Sequence, residues 1–312
     1  MNGALGTGVE TVGVAVPAKR AVAGAWRLPR NRSVWIGAAA LAVIVAIAIL
    51  APVLGTTDPA TIEPVARNKR PGAERVVTGD DGTRIVTTYR MGTDSLGRDV
   101  YSRVIYGSRV SLIVGVTVAL ISVAVGLVIG LVSGYIRWLD SVVMRFMDGL
   151  MSIPAILLAI ALVSLSRGAG LRTVILAIVI PEVPRVVRLV RSVVLSVREE
   201  PYVEAARALG APTATVLARH VLPNTLAPLV VQGTFVCASA ILVEAILSFL
   251  GVGIPPEIPT WGNIMAEGRA LFRIFPHNIP FPSIVLAATV LAVNMLGDGL
   301  RDLLDPRVRK QI

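Results

Sequence analysis

The feature that most constrains this chain is a set of long segments without a single charged side chain. Ser33–Thr57, Val110–Ile136 and Val221–Val243 contain no Asp, Glu, Lys or Arg. At about 1.5 Å per residue, about 20 such residues cross the roughly 30 Å hydrocarbon core of a bilayer as one helix. No water is available there to hydrogen-bond the backbone, so a helix is the one single-segment form that satisfies its own peptide groups. Gly149–Ser166, Leu171–Val190 and Pro282–Leu300 are further apolar segments; the last carries Asp298, and Leu171–Val190 is the weakest, its uncharged core being only Thr173–Pro181. Composition agrees: 54% of residues are hydrophobic and 16% charged, against about 25% charged in soluble domains. The reading is an all-α integral membrane protein with six transmembrane helices.

Residues 1–33 are polar and carry Lys19, Arg20, Arg27, Arg30 and Arg32. They read as a cytoplasmic tail. The first helix is placed at 34–54. Its apolar run is too long for a signal-peptide core and lacks a clear small-x-small cleavage site, so it is retained. The basic flank keeps that end inside. Residues 55–108 mix both charge signs and read as an extracytoplasmic loop. Within it, Val76–Thr78 and Ile85–Tyr89 flank Gly79-Asp80-Asp81-Gly82, which suggests a β-hairpin. Residues 109–300 form a core with five further helices, and 301–312 a second cytoplasmic tail. With both termini inside, 17 of the 30 Lys and Arg lie inside and 13 outside. Nine of the outer ones lie in the long stretch ending at Arg109, a length at which the positive-inside rule weakens. The orientation therefore rests on the amino-terminal flank and the arginine-rich loop after the fourth span.

Inside the spans, Gly126, Gly130 and Gly134 recur every fourth residue and leave one helix face bare for close packing. Arg145 and Asp148 are placed to pair on one helix face before the third span. Glu182, Arg185 and Arg188 follow the fourth span's uncharged core, with Pro181 and Pro184 among them. That span is either kinked, or short and packed against protein. Cys237, the single cysteine, reads as a small buried hydrophobe. His220 and His277 pair with no cysteine at ligand spacing, so no metal site is expected. The net charge of +10 flanks apolar runs instead of forming an aromatic-lined patch. The bilayer surface, and not nucleic acid, is its partner.

The polar loop 198–223 has its own pattern. Tyr202, Ala206 and Leu209 share one helical face, and Gly210 and Pro212 then break the helix. Val216, Leu217 and His220 lead into Leu222-Pro223. The loop reads as a short helix, a sharp turn and a second short helix. Such an element suits either a lever seated in a partner's groove or a connector lying on the lipid surface.

Glu204-Ala205-Ala206, then Gly210 after three intervening residues, then nine residues before His220-Val221-Leu222-Pro223, resemble the EAA loop of ABC importer permeases, with His220 where isoleucine is the family pattern. Arg219-His220-Val221-Leu222-Pro223-Asn224 is similar to the dipeptide/oligopeptide branch. So are the Gly92–Arg103 stretch, Glu244–Gly251, Pro259-Thr260-Trp261-Gly262 and Gly297–Asp302. The likeness spans about residues 34–310. It implies a type I ABC importer permease of the C-type. The expected partners are a paralogous B-type permease, two ATP-binding cassette subunits and an extracytoplasmic substrate-binding protein, in a bacterial cytoplasmic membrane. It also implies that Glu204, Ala205, Ala206, Leu209, Gly210, Leu222 and Pro223 receive the motion of the ATPases.

The residues themselves supply one independent constraint. There is no G-x-x-x-x-G-K-[ST] loop to cradle phosphates, and none of Lys19, Lys69 and Lys310 follows a glycine. This chain is expected to bind no cofactor, with ATP and Mg held by the partner subunits. No catalytic residue is assigned: H-E-x-x-H and G-x-S-x-G are absent. Glu244, with Ser248 and Asn294, is the pathway or gate candidate. By helical count Glu244 lies near the outer interface, which favours a structural or gate role over substrate contact. Asp94, Arg98, Asp99 and Trp261 are outer-loop candidates, either for partner contact or for pinning the loop itself. A self-sufficient channel or secondary transporter predicts charges near mid-span, and the first two spans have none. Cargo is a peptide on this reading; glutathione and nickel chelates are the alternatives.

Overall fold

The computed structural model describes residues 32–78, 84–166 and 170–304. The first helix, α1 (Arg32–Ile49), gives way at Pro52 to a short 3-10 turn. Two strands follow, β1 (Ala73–Thr78) and β2 (Arg84–Tyr89). They pair antiparallel, with Val76 opposite Val86 and Ala73 opposite Tyr89. The Gly79–Gly82 turn expected between them lies outside the described residues, as do residues 1–31 and 305–312 of the two expected tails.

The second helix, α2 (Val100–Tyr135), starts well before its uncharged run. Asp99 sets that start: its carboxylate accepts from the Ser102 amide at 3.0 Å and so satisfies an amide with no partner within the helix. Then come α3 (Arg137–Met151), α4 (Ala155–Leu165), α5 (Leu171–Val197), α6 (Pro201–Ala208) and α7 (Thr213–Val216). A π-helical turn, Leu217–Val221, runs into α8 (Leu222–Phe249). The chain ends with α9 (Trp261–Gly268) and α10 (Pro280–Leu304).

Among the described residues, four helices are long and apolar enough to cross a membrane: α1, α2, the helix containing α8, and the one containing α10. The count is five if α3 and α4, bent by 86°, form one span. The third span expected at Gly149–Ser166 covers the end of α3 and all of α4, on either side of this bend. Pro154 has no amide hydrogen and sits with extended ψ of 128°, so helix cannot continue through it. The 11 residues of α4 reach only about 16 Å. The fourth expected span is one unbroken helix, α5, of 27 residues. Its charged residues keep it from qualifying on apolarity, and most of its surface is buried by protein.

The packing centre is α2 against α5. A Cβ on Gly126 would stand 2.5 Å from Val186 Cβ, one on Gly130 2.6 Å from Val190 Cβ, and one on Gly134 2.9 Å from Val194 Cβ. All are well inside ordinary carbon contact of about 3.5–4.0 Å. The bare face foreseen on α2 is therefore the seat of the valine ridge of α5. Since both ridges advance together, the two helices run parallel. A core of Val114, Val118, Val186, Val190, Val194, Val236 and Leu247 extends from this seam onto α8. A smaller cluster of Val100, Val104, Ile241, Trp261 and Ile264 closes the hairpin end of the molecule.

Candidate functional site

At the other end, loop 198–223 forms a helical elbow. Val203, Val216 and Val221 are fully buried in the main core, one from each limb and one from the π-helical turn. The opposite face of α6 looks outward: Tyr202 is 45% and Leu209 89% exposed, with Glu204 and Ala205 also exposed and Ala206 half-buried. The amphipathic spacing seen in the sequence thus divides into a buried anchor, Val203, and an open apolar strip. Glu204 lies in the first turn of α6, where a carboxylate complements the helix dipole.

The turn is a Schellman motif. The Gly210 amide donates to Arg207 O at 3.0 Å and the Ala211 amide to Ala206 O at 3.0 Å. Gly210 has φ +79°, the left-handed conformation that a β-carbon disfavours. A Cβ there would meet nothing within 4 Å, so the requirement is conformational and not steric. His220 is explained by its setting. Its ring lies 5.9 Å from that of Tyr202, and Asn224 Nδ2 donates to the Tyr202 hydroxyl at 3.3 Å and to His220 O at 2.6 Å. Isoleucine would lack this tilted ring contact, part of the join between α6 and the start of α8. Leu222 and Pro223 begin α8 itself. The elbow is tied to α2 as well: Arg198 Nη1 donates to Gly134 O at 3.2 Å, and the Arg207 guanidinium lies 6.0 Å from the Tyr135 ring centroid.

The hairpin end holds a buried ion network. Asp94 Oδ1 accepts from the amides of Leu96 and Arg98, both at 2.9 Å, and Oδ2 accepts from Arg98 Nε at 2.7 Å. Arg98 also pairs with Glu267 of α9, and Arg103 Nη2 donates to Glu267 Oε1 at 3.1 Å. Arg103 is fully buried. Burial pushes the Glu267 carboxyl up from its ordinary range, while Arg103 and Arg98 pull it back. Trp261 is fully buried, its indole N–H donating to Val104 O at 3.2 Å. Asp94, Arg98 and Asp99 thus bind their own loop, and Asp94, Arg98 and Trp261 are closed to solvent. Glu267 carried no recognisable motif, because its partner Arg103 stands 164 residues away in sequence.

Glu244 is fully buried on α8. It accepts from Ser248 Oγ at 2.8 Å and Ser111 Oγ at 3.2 Å. Glu244 and Ser248 therefore form one cluster, whereas Asn294 sits half-buried on α10 and is not among the groups bonded to Glu244. Asp148 pairs with Arg188 of α5 at 2.7 Å, in place of the expected Arg145. The cause is the approach of α5, which carries a row of arginines past α3. Among the described residues there is no group of three or more His, Cys, Asp or Glu placed to hold a metal.

Comparison with known proteins places this geometry. Residues 106–310 match the family model for the binding-protein-dependent transport system inner membrane component. Residues 22–71 match the N-terminal TM domain of oligopeptide transport permease C. A Sinorhizobium fredii protein named "Probable peptide ABC transporter permease protein y4tQ" is 51% identical over 90% of this chain and 91% of its own length. The dipeptide transport system permease protein DppC of Alkalihalophilus pseudofirmus is 38% identical over 91% of this chain and 88% of its own. The glutathione transport system permease protein GsiD of Pectobacterium atrosepticum is 43% identical over 70% of this chain and 73% of its own. The chain therefore belongs to the binding-protein-dependent transport system inner membrane component family, as a multi-pass, non-catalytic ABC transporter permease of the dipeptide/oligopeptide type.

Proposed function

We propose that this chain forms half of a peptide import pathway and receives the motion of two separate ATPase subunits through Glu204–Pro223. A paralogous B-type permease supplies the other half, and an extracytoplasmic binding protein delivers the cargo. On this reading the elbow and both termini are cytoplasmic and the strand pair faces outward. The observation that carries the proposal is the division of α6 into an open strip, Tyr202 and Leu209, and a fully buried anchor, Val203. A partner seated on the strip moves a helix that is stapled to the cores of α5 and α8. A lipid-surface connector needs no such anchor. Peptide cargo rests on the named relatives, two of which are called peptide or dipeptide permeases. Glu244 and Ser248 are assigned a structural part in closing the outer end, and Asn294 remains a pathway candidate on α10.

The test is purification from mild detergent followed by reconstitution. A second permease and ATPase chains are expected to co-purify. Glu204→Lys is expected to leave membrane insertion intact and to uncouple ATP hydrolysis from peptide uptake. Normal ATP-driven uptake by Glu204→Lys, or transport by the lone chain, overturns the proposal.

A further inference from the structure

The charges on α5 lie at a depth where lipid is excluded as their neighbour. Because Val186 seats on Gly126 and Val194 on Gly134, each α5 residue can be levelled against α2. Arg185 stands level with Val125, about 16 Å from Ile136 at one end of the uncharged run and about 22 Å from Val110 at the other. That is mid-membrane. Yet the side chains of Arg185 and Arg188 are 47% and 51% exposed, and Asp148, which pairs with Arg188, is 58% exposed. Ionisable groups at such depth face protein or a water-filled cavity, not hydrocarbon.

The rest of α5 narrows the choice. After Arg172 at the start of the helix, its exposed stripe is apolar at Leu176 and Ile180, and then polar towards the elbow, at Arg185, Arg188, Ser192 and Ser196. Beside the polar half lies a cavity of about 400 Å³, lined among others by Leu189, Gln232, Phe235 and Arg301. Gln232 is two helical turns along α8 from Ser239, whose hydroxyl donates to Glu182 at 2.9 Å. Gln232 and Arg301 are the polar groups in the otherwise apolar lining of this cavity. Glu182 is 2% exposed and, besides the Ser239 bond, accepts from Arg185 Nη1 on both oxygens, at 3.1 and 3.3 Å. These bonds engage only Nη1, and the Arg185 side chain is 47% exposed; a guanidinium has further donors in a fork that suits a second carboxylate.

We propose that Arg185, Arg188, Asp148 and the adjoining cavity line the inner, aqueous half of the cargo route. Arg185 binds the cargo's carboxylate and Asp148 its ammonium group. The assignment of these two cargo groups rests on the peptide reading given above; the lining itself does not.

The test uses the assembled transporter, with both permeases, ATPases and binding protein, in proteoliposomes carrying Cys237→Ala. Arg185→Cys and Arg188→Cys are each treated with an anionic methanethiosulfonate and with an apolar maleimide, and fully buried Val114→Cys serves as the unreactive control. The anionic reagent is expected to label both arginine positions and to be slowed by cargo during turnover. Labelling by the apolar reagent alone, or labelling only when the partner permease is absent, overturns the lining. In parallel, uptake of a dipeptide is compared with uptake of its carboxyl-terminal amide. Arg185→Gln is expected to reduce the preference for the free carboxylate about tenfold, as loss of a charge-assisted bond does, and Arg185→Lys to restore part of it. An unchanged preference in an Arg185→Gln complex that still hydrolyses ATP overturns the carboxylate contact. Anionic labelling of Arg185→Cys and Arg188→Cys together with no peptide transport by the Cys237→Ala parent complex supports the lining and overturns the peptide reading instead.

Discussion

Gly130→Ala tests the α2–α5 seam most directly. The new methyl would stand 2.6 Å from Val190 Cβ, 2.8 Å from Val190 Cγ1 and 3.0 Å from Val187 O. Restoring ordinary carbon contact requires the helices to part by about 1 Å. Neither the Val190 Cβ nor the carbonyl can rotate away, so the shift falls on the backbone. Overpacking of this kind costs about 1–3 kcal/mol, and the expected loss is near the middle of that range. Gly126→Ala meets Val186 in the same way, one turn along the same face. Once one methyl has parted the helices, the second fits with less added cost, so the double variant should lose less than the sum of the singles. Val190→Gly removes the clashing β-carbon and should recover part of the Gly130→Ala loss in a double-mutant cycle. Gly149→Ala is the control. It lies inside α3 with nothing within 4 Å of the new carbon, and should be neutral or stabilise by up to about 1 kcal/mol. The assay is the unfolding midpoint of the purified protein in one detergent, read by thermal and by denaturing-detergent titration. Equal midpoints for Gly130→Ala and Gly149→Ala, or full additivity of the two α2 substitutions, would refute the close-approach reasoning.

Other substitutions probe the two ends. Gly210→Ala should weaken the elbow by about 1–2 kcal/mol, the cost of a left-handed residue with a β-carbon, and Gly210→Asn by less; ATP-coupled uptake should follow that order, and a loss greater for asparagine than for alanine contradicts it. Glu267→Gln leaves Arg98 and Arg103 without their shared carboxylate in a buried site, so the thermal midpoint should fall by the equivalent of about 3–5 kcal/mol; a neutral result means water reaches the network. Tyr89 is buried and donates to Glu63 Oε2 at 2.6 Å, and burial first, then that bond, pushes its phenol up to about 12 from 10.0. The folded chain holds this proton more tightly than the unfolded chain does, so the contribution is complete below pH 10 and fades as pH rises towards about 12. The stability difference between wild type and Tyr89→Phe, followed by alkaline titration, should shrink across that window.

The apolar helices, the strand pair and the elbow were legible in the sequence, because each rests on short-range chemistry. A run such as Val110–Ile136 has one way to satisfy its backbone in lipid. Asp99 caps α2 and the Gly210 turn ends α6 through bonds between residues no more than five positions apart. The spacing of Gly126, Gly130 and Gly134 announced a close contact, though not that Val186, Val190 and Val194 would fill it. What only the tertiary structure decided is which charges meet. Asp148 looked paired with Arg145 along one helix, and the arrival of α5 gave it Arg188. Glu267 showed no pattern until α9 folded onto Arg98 and Arg103. The same holds for Arg185. Its sequence marks a charged interruption of a weak span, whereas its depth and open face depend on the seating of α5 against α2. Local signals come from bonds within a turn or two of chain. Ion pairing and burial depend on distances between segments, which spacing along the sequence does not carry.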